Sequence, residues 1–297
     1  MELGIIGLGK MGFNIAQNLH EKGYTIKAYD IDSDTRQLAR TTGIIAYDSV
    51  EALVADLKDK NLWLMLPAGQ ITEDTLSILL PLLSKGYTII EGGNTNYKDS
   101  IRRAHRFAQQ GIDYLDCGTS GGTAGARHNA CLMVGGKREA FNRLEPLFHD
   151  LAIAGGYLYA GDSGSGHFLK MVHNGIEYGM MQAMGEGFHL LEASDYNFDL
   201  EAVAGVWNNG SVIRSWLMEL AQNMFQDSPK LDEYSDVVAA SGEGQWTVET
   251  ALALNVAVPT IALSVMNRSM SQQPEVFGNK VVAGLRHQFG GHGFVEK

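Results

Sequence analysis

The sequence predicts an α/β protein in two parts, a first half in which strands alternate with helices and a mostly α-helical second half. Three observations carry this. Short apolar runs recur between helical patterns through the first half, which implies βαβ units and a parallel sheet. A glycine-rich turn, Gly7-Leu8-Gly9-Lys10-Met11-Gly12, joins the first apolar run to the first helical pattern. After Gly166 the strand signal fades and a long helical pattern without proline begins.

Taken in order, Leu3 to Ile6 is a short apolar run and reads as a buried strand. Met11 to Lys22 is helical and stops at Gly23, the expected C-terminal signal. Tyr24 to Tyr29, Leu62 to Leu66, Thr88 to Ile90 and Tyr114 to Cys117 continue the strand series. Ala130 to Val134 and Gly156 to Tyr159 are candidates to extend it. Gly166 to Ala193 reads as one helix, followed by helical patterns at Leu200 to Gln226, Val248 to Ala253 and Pro259 to Met270. The change of period and the glycines of Gly161-Asp162-Ser163-Gly164-Ser165-Gly166 set the expected domains at 1–165 and 166–297. The chain shows no internal repeat and no low-complexity linker.

Composition narrows the function classes. With 45% apolar and 19% charged residues, the 297-residue chain can bury a core and is not disordered. Two cysteines exclude a disulfide scaffold and a four-thiolate zinc site, and the histidines show no metal-ligand spacing, so no metal is expected. The formal net charge is -11 with no basic stripe, which argues against nucleic-acid binding. No window reaches the ~18 apolar residues of a membrane span, and no basic run precedes the short apolar stretch at the amino terminus. A cytoplasmic protein without nucleic-acid or membrane partners is expected. Glycine is the outlier, 35 residues in 297 against a typical ~7%, and implies tight turns and close backbone approach.

The glycine turn follows a strand and opens a helix, the context in which Gly-x-Gly-x-x-Gly binds a dinucleotide. Gly7 makes the turn, Gly9 admits a pyrophosphate to the backbone, and Gly12 lets helix and strand pack, giving a Rossmann-type domain. Asp30, at the end of the second strand, is placed to accept hydrogen bonds from the adenosine ribose and to repel a 2′-phosphate. Arg36 is the nearest base, so NAD is expected over NADP; the competing reading has Asp30 and Asp32 only capping the next helix.

The most informative stretch is Lys170, His173, Asn174, Glu177 and Tyr178, at spacings 0, 3, 4, 7 and 8, which form one helical face. Met171, Val172, Ile176 and Met180 fall on other faces and read as core. Ionisable groups on a largely buried helix are costly unless paired or functional, so this stripe is read as functional rather than as a solvated face. Ser120-Gly121-Gly122 and Asn94 each follow a strand, where a doubly wound sheet holds ligands; tight-turn glycine is an equal reading of the local sequence for both. Arg286 and His292 bracket a glycine-rich tail that reads either as a frayed end or as a phosphate clamp, in this subunit or a neighbour's. Arg268, alone in a helix, reads as a surface residue or a further phosphate contact, and Cys117 as a small buried residue.

Together these residues resemble the decarboxylating 6-phosphogluconate dehydrogenases of the β-hydroxyacid dehydrogenase family. The matching stretches are Gly7 to Gly12, Gly92-Gly93-Asn94, Ser120-Gly121-Gly122 and Lys170-Met171-Val172-His173-Asn174-Gly175-Ile176-Glu177-Tyr178. Gly242-Glu243-Gly244-Gln245-Trp246-Thr247, Arg268 and Arg286 through His292 continue the match in family order over nearly the whole chain. Relatives acting on 3-hydroxyisobutyrate share the glycines and the lysine but lack the His-Asn-x-x-Glu pattern.

The resemblance implies oxidative decarboxylation of 6-phosphogluconate to ribulose 5-phosphate and carbon dioxide, a step of the pentose phosphate pathway. It makes Lys170 the general base, which requires burial or cationic neighbours to bring a lysine toward neutrality, and Glu177 the acid that protonates the enediol carbon. It assigns Asn94, Ser120, Gly121, Gly122, His173 and Asn174 to the carboxylate and hydroxyl end of the substrate, and Tyr178, Arg268, Arg286 and His292 to its phosphate. Cofactor contacts fall to Gly7, Leu8, Gly9, Lys10, Met11, Gly12, Asp30, Leu66, Pro67, Ala68 and Asn94. A homodimer or homotetramer follows, with the tail completing a neighbour's site.

The chain departs from the common long form in its reduced length and in Ser241 and Gln245, which stand at lysine positions. The less basic phosphate end keeps a second reading open, a dehydrogenase of another 3-hydroxy acid such as a non-phosphorylated sugar acid. A third is a non-catalytic dinucleotide-binding regulatory protein on the same fold.

Overall fold

Strand β1 (Glu2–Ile6) buries four of its five residues, and no polar side chain interrupts Leu3 to Ile6. A strand without a polar face belongs inside a sheet covered on both sides. The computed structural model, which describes residues 1–290, places it there. The first half continues through α1 (Lys10–Glu21), β2 (Thr25–Tyr29), α2 (Ser33–Thr41), β3 (Ile45–Ala46), α3 (Val50–Asp56), β4 (Asn61–Leu64) and α4 (Gln70–Leu82). Then come β5 (Thr88–Glu91), α5 (Tyr97–Ala108), β6 (Asp113–Ser120), α6 (Gly122–His128), β7 (Ala130–Gly136), α7 (Arg138–Leu151) and β8 (Ala152–Gly161).

The eight strands form one sheet in the order β3-β2-β1-β4-β5-β6-β7-β8. The first six are parallel, with Ile5 paired to Ala28 on one side and to Trp63 on the other. Successive side chains feed opposite faces. Leu3, Ile5 and Trp63 join Ile15, Leu19 and Phe148 in one core, while Ile6, Leu62 and Leu64 join Leu53, Leu79 and Phe107 in another. This is the doubly covered α/β arrangement expected from the sequence.

Four elements differ from the sequence reading. Strand β7 runs antiparallel to β6, pairing Ser120 with Cys131. The reason is reach: only residues 121–129, mostly the short α6, join the two strands, and a parallel crossover needs about a dozen or more. The Leu200 to Gln226 pattern is two helices, α9 (Leu200–Asn208) and α10 (Trp216–Asp227). Gly210, at φ 93°, lies in the break, and the Ser215 hydroxyl caps α10 by accepting from Met218 N. The third difference is β3, a two-residue strand that no apolar run announced, and the fourth is a last helix, Phe277–Gly290, which carries Arg286 where the sequence reads as a glycine-rich tail.

Helix α8 (Ser165–Glu192) is continuous, followed after α10 by α11 (Glu243–Ala253), α12 (Pro259–Ser271) and α13 (Phe277–Gly290). The chain divides into two compact units, Met1–His173 and Asn174–Lys297, so the division falls inside α8. The second unit has its own core, in which Phe188 packs on Phe225 and Trp207 with Ala204, Met218 and Ala221 around them. Among the described residues no helix is long and apolar enough to cross a membrane.

Cys117 is buried on β6 and Cys131 is exposed on β7. Burial pushes the Cys117 thiol far up, and only a thiolate reacts readily. A thiol reagent at pH 8 is expected to modify one cysteine per native chain and two after denaturation. Two rapidly modified thiols in the native protein would contradict the buried position of β6.

Candidate active site

The turn after β1 is built by close approach. A Cβ on Gly12 would lie 2.0 Å from the Gly7 carbonyl oxygen, so the first turn of α1 sits directly against the chain leaving β1. Gly7 itself has φ 93°, and its N–H donates to Tyr29 O at 2.9 Å. Gly9 is the N-cap of α1 with no side-chain cap, and a Cβ there would meet nothing within 4 Å. The helix terminus therefore opens onto free space, with its N–H groups and positive dipole end available to a pyrophosphate.

Asp30 closes the other side of this cradle. Its Oδ2 accepts from Leu8 N at 2.6 Å and its Oδ1 from Asp32 N at 2.9 Å, which fixes the carboxylate at the end of β2. Asp32, not Asp30, caps α2 by accepting from Asp34 N and Thr35 N. Arg36 donates to the carbonyls of Asp30 and Ile31 and pairs with Asp48 at 3.2 Å. Arg36 is thus engaged by the protein itself. These residues fit a dinucleotide with free ribose hydroxyls.

The loops after β4 and β5 complete this edge. A Cβ on Gly93 would lie 2.2 Å from Leu66 O, so the two loops are in contact. Pro67, Ala68 and Asn94 are exposed there and Leu66 is half-buried. They stand beyond the carboxyl ends of β4 and β5, next to the reversal of strand order between β1 and β4, where such sheets bind ligands.

The helix carrying Lys170 starts on the same unit. The Asp116 carboxylate, on β6, accepts from Gly164 N at 2.7 Å and from His167 N at 2.9 Å. Lys170 is 8% exposed. A Cβ on Gly118 would lie 2.4 Å from Lys170 Cβ, so only glycine lets the lysine stem lie on β6. One turn further, His173 Nε2 is 3.2 Å from Ser120 Oγ. The structure therefore brings Lys170, His173 and Ser120 together at the end of β6, with Gly121 and the exposed Gly122 beginning α6 beside them.

The second unit holds the rest of the face. Asn174 Nδ2 donates to Glu243 Oε1 at 3.2 Å, and Glu243 is 2% exposed. The Arg268 guanidinium lies 3.4 Å from the centroid of the Tyr178 ring and donates to Ala239 O. Tyr178 OH is 3.4 Å from Ser241 Oγ. Glu177 is half-buried, while Ser241, Gln245 and Arg286 are exposed. His292 lies outside the described residues. Of the presumed core positions on α8, Met171 is buried, but Ile176 and Met180 are exposed at 53% and 42%, so this helix keeps an uncovered apolar side.

Sequence reasoning missed Asp116, His167 and Glu243. Asp116 sits in an apolar strand with no spacing that ties it to Lys170, whereas His167, three positions before Lys170 in the same helical pattern, carried an i, i+3 signal. Glu243 had a usable signal, a carboxylate between two glycines at a helix start.

Comparison with known proteins shows the family. Residues 2–161 match the model of the NAD binding domain of 6-phosphogluconate dehydrogenase, and residues 166–281 match that of its C-terminal domain. The chain belongs to the 6-phosphogluconate dehydrogenase family. A Haloferax volcanii protein named NAD(+)-dependent, decarboxylating 6-phosphogluconate dehydrogenase is 43% identical over 300 residues, covering 100% of this chain and 99% of the relative. The Lactococcus lactis decarboxylating 6-phosphogluconate dehydrogenase is 34% identical over 97% of this chain and 65% of its own length. Among solved structures, Plasmodium falciparum 6-phosphogluconate dehydrogenase superposes with a TM-score of 0.83 at 29% identity, covering 100% of this chain and 66% of that one. A Mycobacterium tuberculosis 3-hydroxyisobutyrate dehydrogenase, at 20% identity and TM-score 0.71, shares the fold.

Substituting Gly12→Ala in this family member forces α1 away from the Gly7 carbonyl. The dinucleotide Kd measured by calorimetry is expected to rise at least about tenfold, equivalent to ~1.4 kcal/mol. An unchanged Kd would place the dinucleotide elsewhere.

Proposed function

We propose that this chain is an NAD-preferring 6-phosphogluconate dehydrogenase that oxidatively decarboxylates 6-phosphogluconate to ribulose 5-phosphate and carbon dioxide. The observation that carries the reading is Lys170, nearly buried against Gly118 one turn from the His173–Ser120 pair. The full-length similarity to the Haloferax volcanii enzyme supports the reaction and the coenzyme. So do the fixed Asp30 carboxylate and the engaged Arg36, since a 2′-phosphate at that edge would meet a negative charge beside an arginine already held by Asp48 and two carbonyls.

Bound NAD supplies the hydride acceptor. The chain's own residues do the rest. Lys170 Nζ takes the proton of the 3-hydroxyl as that carbon is oxidised. The resulting ammonium then hydrogen-bonds the ketone oxygen, so electron density from the breaking carbon–carboxylate bond is drawn toward that oxygen as carbon dioxide leaves. Glu177, two helical turns from Lys170 on the same face, protonates the carbon that lost the carboxylate. Asn94, Ser120, Gly121, Gly122, His173 and Asn174 hold the carboxylate and hydroxyls, with Ser120 and His173 already paired. The resemblance gives the phosphate to Tyr178, to Arg268, which stacks on the Tyr178 ring, and to Arg286 and His292.

The same reading makes the protein a cytoplasmic homo-oligomer whose tail completes a neighbour's site. Both cysteines are unbridged, as a reducing compartment keeps them. The second unit exposes Leu252, Val212 and Phe277 at 72%, 99% and 75%, apolar surface that a second subunit would cover.

Exposed Ser241 and Gln245 at the phosphate end favour one alternative, a dehydrogenase of a non-phosphorylated sugar acid. Comparison of gluconate with 6-phosphogluconate decides between them: kcat/KM is expected to be at least about tenfold higher for the phosphorylated acid, since a charge-assisted anion contact contributes ~1.5–3 kcal/mol. Equal values would favour the alternative. Lys170→Ala is expected to abolish turnover while NAD still binds, and a variant with wild-type turnover would remove Lys170 as the base.

A further inference from the structure

Outside the residues just assigned, the first unit buries a second polar cluster. Glu91, the last residue of β5, is 1% exposed and pairs with Arg103 of α5, itself 1% exposed. Its Oε1 accepts from Thr95 Oγ1 at 2.8 Å as well as from Arg103. Its Oε2 accepts from Tyr114 OH at 2.8 Å and from Ser100 Oγ at 3.1 Å. All four donors converge on one carboxylate, which cannot donate in return.

This fixes the direction of the next bond. Ser100 has one hydroxyl hydrogen, and it is committed to Glu91. Its oxygen lies 2.8 Å from His167 Nδ1, so in that pair Ser100 accepts and the imidazole donates. With that direction the His167 ring carries its hydrogen on Nδ1. Nε2, buried and without a hydrogen-bond partner, then has no hydrogen to place.

His167 is 2% exposed and precedes Lys170 by three positions on α8. Its backbone N–H is held by Asp116 and its ring by Ser100, so the turn that leads to the lysine is fixed at two points, from β6 and from α5. The same Glu91 carboxylate holds Thr95, the residue after Asn94. One buried group thus ties together the loop bearing Asn94 and the helix bearing Lys170.

We propose that His167 is a positioning residue for Lys170, held in a single tautomer by Ser100 and Glu91, and that this relay sets the base against Asn94. The inference rests on the proposed function for its kinetic effect, although the tautomer does not. The test compares Ser100→Ala, His167→Asn and His167→Gln in the full-length protein. An asparagine amide can donate from the place of Nδ1; a glutamine amide reaches the place of Nε2 and cannot.

Ser100→Ala and His167→Gln are expected to lower kcat about tenfold or more, with NAD Kd and substrate KM within about twofold of wild type, because displacement of a base by a fraction of an ångström slows chemistry more than binding. His167→Asn is expected to restore most of the rate. Nitrogen NMR of the wild-type protein is expected to show the His167 hydrogen on Nδ1, and Ser100→Ala to lose that preference. A hydrogen on Nε2, or His167→Asn as slow as His167→Gln at equal Tm, overturns the proposal. A wild-type protein inactive on 6-phosphogluconate overturns the proposed function instead, and the NMR result still decides the relay.

Discussion

The buried Asp116 carboxylate on β6 holds the start of α8, and the placement of the helix face bearing Lys170 and His173 depends on that contact. Two backbone N–H groups of the helix terminus, from Gly164 and His167, end on its two oxygens. A carboxylate at a helix N-terminus satisfies orphan donors and the dipole together. Gly166 makes the approach possible, since a Cβ there would lie 2.4 Å from both Asp116 O and Met133 O. With the terminus pinned, helical geometry delivers Lys170 onto Gly118 and His173 onto Ser120 without further adjustment.

Polar groups carry the precision of the first unit, and apolar groups carry its stability. The two faces of the sheet bury Leu, Ile and aromatic side chains against helices and would tolerate small shifts. The polar contacts are less forgiving. Glu91 has four donors and Asp116 two, and losing one leaves a buried group with its desolvation uncompensated. Glu91 lies at the carboxyl end of β5, where the doubly wound topology gathers ligand-binding loops, and Asp116 is its register partner midway along β6. A site that moves a proton at a defined atom needs this kind of support behind it.

What the sequence revealed was whatever is local. Gly7 to Gly12, Asp30 and the Lys170 to Tyr178 stripe are each contained in a short span with a period or a turn signature, and each was legible. What it hid was long-range. Asp116 lies 51 positions from His167, and Ser100 lies 67 from the same residue. Nothing in an apolar strand or an amphipathic helix marks such partners. The antiparallel β7 was hidden for a different reason, because its direction is set by the length of the connection and not by the strand's composition. The exposure of Ile176 and Met180 shows the limit of helical periodicity: it locates an apolar side but not what covers it.

The central claim is that this family member couples oxidation of 6-phosphogluconate to loss of its carboxylate, with NAD as acceptor. The most direct measurement follows reduced cofactor and released carbon dioxide together from purified protein supplied with 6-phosphogluconate and either NAD or NADP. One carbon dioxide is expected for each cofactor reduced, at a higher kcat/KM with NAD. Cofactor reduction without carbon dioxide would contradict the decarboxylation and the role given to Glu177, and a preference for NADP would contradict the role given to Asp30.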